Sequence, residues 1–111
     1  MSDLESQLYQ SKVRLNSLER SLEEMSRIRE IAAKDWAIFR EEIVASFRPL
    51  VDDVDVIYEA LRNTEQSFEE LDEQLKEGIQ NTERECGDMR EKVWKYEKEI
   101  KVSKEQEALS Q

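Results

Sequence analysis

Apolar residues recur through this chain in alternating steps of three and four for about 100 residues, with almost nothing to interrupt them. Leu4, Leu8, Leu15, Leu18, Leu22 and Met25 share one stripe, with polar Ser11 in one of its slots. Arg29 takes the next slot, followed by Ala32, Trp36, Phe39 and Ile43. This is the a/d pattern of a coiled coil. Phe39, Ile43 and Phe47 are then spaced by two steps of four, a stutter that locally unwinds a supercoil. A second frame runs Phe47, Leu50, Val54, Ile57, Leu61, Thr64, Phe68, Leu71, Leu75, and a second stutter leads from Leu75 into Ile79, Thr82, Cys86, Met89, Val93, Tyr96 and Ile100. High charge (40% of residues) also marks disordered chains, but disorder gives no reason to hold a stripe through three frames.

The expected fold is therefore all-α, with long amphipathic helices forming a coiled coil in a single elongated region, 1–111. Ser2 and Glu5 have the spacing of a capping box, which starts the first helical segment at 3–45. Acid-to-base pairs four residues apart, such as Glu30–Lys34, Asp72–Lys76 and Glu91–Lys95, support the two ends, and none falls between Asp35 and Leu71. Pro49 is the one serious interruption, costing a helix about 3 kcal/mol and pushing Arg48 away from helical dihedrals. It places a kink or turn at 46–50 and a second helical segment at 51–108. The stripe stays in phase across Pro49, which favours a continuous, kinked helix. The alternative is an antiparallel helical hairpin with Ile43 opposite Val54, Phe39 opposite Ile57, Trp36 opposite Leu61 and Leu22 opposite Leu75. Against the hairpin, Ser46-Phe47-Arg48-Pro49 offers no Gly or Asn for a tight reversal. Gly78 and Gly87 are softer points, and Thr82 with Glu85 has the spacing to cap a helix restarted between them.

Composition excludes several classes of function. The net charge of −10 makes nucleic acid and anionic membrane surfaces poor partners. No apolar run approaches the roughly 20 residues that span a bilayer, and Met1–Glu5 does not read as a signal peptide. Without His the commonest general base and metal ligand is missing, so no catalytic residue, metal ligand or cofactor is expected. Asp52, Asp53 and Asp55 lack the Gly and terminal Glu of a calcium loop and read as a solvated acidic face. Cys86 falls in a core slot and reads as a buried structural thiol, although two such residues could meet in a parallel dimer. An intracellular, cytoplasmic location is expected for a chain with one Cys.

The function expected is structural: self-assembly through the stripe, first as a homodimer or else as a tetramer, giving a scaffold, spacer or tether. Interface residues are expected at Leu15, Leu18, Leu22, Met25, Trp36, Phe39, Ile43, Phe47 and Leu50. They continue at Val54, Ile57, Leu61, Phe68, Leu71, Leu75, Met89, Val93 and Ile100. Between Ile28 and Leu61 apolar residues spread well beyond an a/d seam, which implies more than one packed neighbour and room for a four-helix core. The same stretch is acidic: residues 36–75 carry 3 basic and 11 acidic side chains. The alternative function follows from that charge: a helical adaptor or regulator whose acidic, apolar centre docks a basic protein. Arg29 in the seam calls for water at a dimer edge or for a carboxylate opposite it.

Overall fold

A computed structural model describes residues 2–110 of the chain; Met1 and Gln111, the ends of the expected 1–111 region, lie outside the described residues. Two α-helices, α1 (Asp3–Phe47) and α2 (Asp55–Ser110), account for nearly all of it, and no strand occurs among the described residues. Ser2 caps α1, its hydroxyl accepting from the Glu5 N–H at 3.2 Å. Contacts divide the chain into two units, Glu24–Ile79 and Met1–Glu23 with Gln80–Gln111.

The unit Glu24–Ile79 is an antiparallel helical hairpin, not the continuous helix that the in-phase stripe favoured. Trp36 of α1 stacks on Phe68 of α2 (centroids 5.1 Å apart, planes 19° apart), and Arg29 bonds to Asp72. Pro49 sits in a 3-10 turn, Arg48–Leu50, where its missing N–H is cheap, and Val51 then leaves the helical region at φ −125°, ψ 146°. Asp53 ends the break: its carboxylate accepts from the Asp55 N–H at 3.0 Å. That side-chain cap and Asp55 in the first turn start α2 as acids start helices elsewhere. The acids at 52–55 thus include a helix-start signal that the solvated-face reading missed. Every residue turns with negative φ, so the reversal needs no Gly or Asn.

The hairpin register differs from the alignment considered from sequence by one heptad. Trp36 faces Phe68, seven residues beyond Leu61. The physical reason is that 48–54, rather than 46–50, forms the connection. In the alignment with Trp36 opposite Leu61, Arg29 would face Phe68, with Glu65 and Glu69 as the carboxylates near it. In the observed one it finds Asp72.

In the other unit, the first part of α1 pairs with the last part of α2. Leu18 (7% exposed) and Cys86 (1% exposed) are buried, with Leu8, Leu15, Leu22, Met89, Val93, Tyr96 and Ile100 half-buried around them. Among the described residues three ion pairs cross between the helices: Lys12–Glu97 at 3.3 Å, Arg14–Glu85 at 3.2 Å and Glu19–Arg90 at 3.2 Å. Glu85 is thereby spent on Arg14 rather than on capping a new helix, and α2 runs unbroken through Gly78 and Gly87.

Candidate functional site

The residues predicted to line an interface fall into three groups. Leu18, Ile57 and Leu61 are buried. Leu15, Leu22, Met25, Trp36, Ile43, Val54, Phe68, Leu75, Met89, Val93 and Ile100 are half-buried. Phe39, Phe47, Leu50 and Leu71 are exposed. The first two groups are the seams by which α1 and α2 pack within each unit.

On α2 the seam departs from the predicted frame. Thr64 and Leu71 are exposed, and their neighbours Glu65 and Asp72 are turned inward instead. The spacing of inward residues becomes Ile57, Leu61, Glu65, Phe68, Asp72, Leu75, which moves the stutter from around Leu75 to around Leu61. The polar pair is what this gains. Arg29 Nε donates to Asp72 Oδ1 at 2.7 Å and its Nη2 to Oδ2 at 3.0 Å, a two-pronged geometry that fixes both orientation and register. That hydrogen bond holds the Asp72 carboxyl below its ordinary range and raises Arg29 further. What it leaves outside is Leu71, 60% exposed.

Leu71 borders a groove of about 520 Å³ on the Glu24–Ile79 hairpin. Ile28, Ala32 and Trp36 line it from α1, and Phe68, Leu71 and Leu75 from α2, with Glu65, Glu69 and Glu73 also present. Phe39 packs tilted against Trp36 at 5.9 Å while remaining 47% exposed. Across this unit nine large apolar side chains are exposed: Ile28, Ile31, Ile38, Phe39, Phe47, Leu50, Val56, Tyr58 and Leu71. A smaller feature lies near the turn, a cavity of about 510 Å³ where Arg40 sits over the Tyr58 ring at 5.3 Å beside Val44, Arg48 and Pro49.

No family model, curated protein or solved structure matches this chain. The site must therefore be read from its own chemistry. Among the described residues no group of three or more His, Cys, Asp or Glu side chains is placed to hold a metal ion, and no helix is long and apolar enough to cross a membrane. Cys86 is enclosed in its own unit's seam. The arrangement offers apolar area and carboxylates on a helical frame.

Proposed function

We propose that this chain is a non-enzymatic assembly protein, a helical hairpin that presents one face of Glu24–Ile79 to another helical protein and so serves as a scaffold, spacer or tether. The observation that carries this reading is the unfinished surface of that hairpin. Its seam is already used between its own helices, yet nine large apolar side chains stay exposed within 56 residues. Two of them, Ile28 and Leu71, border one groove, and exposed apolar surface of that kind marks interaction sites. Two helices cannot enclose a wide apolar stripe by themselves, and a third or fourth helix can. A reducing intracellular compartment suits a chain whose single Cys is buried and unpaired.

Homodimers or tetramers formed through the stripe itself would first have to open these seams. Self-association keeps one route, face against face on Glu24–Ile79, and like charge opposes it: this stretch holds 7 basic and 15 acidic side chains. Circular dichroism, light scattering and binding of an apolar fluorescent dye test the reading on wild type and on Ile28→Glu/Leu71→Glu. A strongly helical wild type should bind the dye or exceed the 13.2 kDa monomer mass. The variant should lose both properties and keep its helix content. A wild type that neither binds dye nor associates, or that is not helical, overturns the proposal.

A further inference from the structure

Resting on that reading, we propose that the occupant of this face is a cationic amphipathic helix from another protein. On α1 the residues Glu24, Ile28, Ile31, Asp35, Phe39 and Glu42 follow one another in steps of four, three, four, four and three, so they share one side of the helix. All six are exposed. Of the apolar members, Ile28 lines the groove with Leu71, and Phe39 packs against its Trp36 with ring centroids 5.9 Å apart. The charged members are all acids, and none of the three makes an ion pair among the described residues. The nearest cation in the groove, Arg29, is already held by Asp72. An apolar strip flanked by unpaired carboxylates is complementary to a helix with Leu-like residues at i, i+3/i+4 and i+7 and Lys or Arg beside them. A second copy of this chain would bring the same three carboxylates to the face and gains no such pairing.

Trp36 lines the groove and reports on its occupation. The chain has two Trp, so Trp94→Phe, in the other unit, leaves Trp36 as the sole Trp, excited apart from the three Tyr at long wavelength. The probes are two synthetic helical peptides of about 18 residues, some 27 Å long, with the same Leu stripe and either Lys or Glu flanks. The Lys peptide should shift Trp36 emission to shorter wavelength, saturably, and bind about tenfold tighter than the Glu peptide at low salt, with the advantage shrinking as salt rises. Asp35→Lys/Glu42→Lys should reverse the preference while leaving helicity unchanged, and Leu71→Glu should abolish binding of both. Equal binding of the two peptides overturns the inference and leaves the assembly reading standing. Doubling of the mass with neither peptide bound also overturns it and makes a second copy the occupant. A helical monomer that binds neither peptide nor the apolar dye overturns both.

Discussion

The same two helices finish their surfaces in two different ways. In the unit of Met1–Glu23 with Gln80–Gln111, the flanks of the seam are charged residues that pair across the helices, and 10 basic side chains nearly balance 12 acidic ones. In Glu24–Ile79 one ion pair crosses the seam, Arg29–Asp72, the acids exceed the bases by 8, and the flanks are Ile28, Ile31, Phe39 and Leu71. Among the described residues, the exposed large apolar side chains number five in the first unit and nine in the second. Charge pairs flank the seam of the first unit, whereas exposed apolar side chains and unpaired acids flank that of the second, the face proposed above to take another helix.

Core deletions break this comparison most severely. Leu61→Ala and Leu18→Ala, one in each unit, should each lower unfolding stability in urea melts by about 2–3 kcal/mol, because both side chains are buried. Leu71→Ala should stay within about 0.5 kcal/mol, as a surface change does. If Leu71→Ala costs as much as Leu61→Ala, the face is already covered in the isolated protein and the contrast between the units is lost.

The glycines give the next largest effect. A Cβ at Gly87 meets nothing within 4 Å, and one at Gly78 lies 3.8 Å from Met25 Sδ, an ordinary contact. Both positions are interior to α2, so Gly78→Ala and Gly87→Ala should each raise stability by about 1 kcal/mol in thermal or urea melts. A loss at Gly78 alone would mean that its hairpin packs more tightly than the half-exposed seam implies.

Helix content and most seam positions were legible in the sequence, because a 3–4 spacing held over so many turns has one structural meaning. The hairpin was harder to read for a specific reason. Two heptad stripes fit each other at every seven-residue offset, so the apolar residues alone do not choose between Trp36 opposite Leu61 and Trp36 opposite Phe68. The choice lies in where the chain turns, with Pro49 in the 3-10 turn and Asp53 at the start of α2, and Arg29 bonds to Asp72 across the seam that results. Arg29 in the seam calls for water at a dimer edge or for a carboxylate opposite it, and Asp72 sits one position beyond the slot of Leu71 in the heptad frame, so the pairing is hidden behind a leucine. Reading Pro49 and Asp53 together, as the stop of one helix and the cap of the next, would have pointed to the reversal.

Asp72 also gives the Glu24–Ile79 unit a pH response. Its carboxyl titrates below the ordinary value of 3.8 because Arg29 donates to it. A depressed carboxylate contributes stability that is fully present above the ordinary value and is lost as pH falls through the folded value. Wild type should therefore be more stable than Asp72→Asn by a constant margin near neutrality, and the margin should close below pH 3.8. Both groups are near two-fifths exposed, so solvent keeps the margin smaller than the core deletions. A margin that is unchanged at low pH would mean that Asp72 acts through shape rather than charge.

The smallest effect separates the units by sign. The three cross-helix pairs Lys12–Glu97, Arg14–Glu85 and Glu19–Arg90 are about half-exposed, so each contributes at most about 1 kcal/mol and is screened by salt. The Debye length falls from about 10 Å at 0.1 M to about 3 Å at 1 M, which removes most of that attraction. In Glu24–Ile79 the acids exceed the bases by 8, so their mutual repulsion opposes folding, and the same screening relieves it. Hydrogen exchange at low and high sodium chloride should show amides of 8–20 and 84–98 becoming less protected by a few tenths of a kcal/mol, and amides of 28–43 and 57–76 becoming more protected. Sodium chloride strengthens apolar burial only weakly over this range and acts on both units alike, so it cannot produce opposite signs. A shift of the same sign in both units would mean that charge is not what distinguishes the closed seam from the open face.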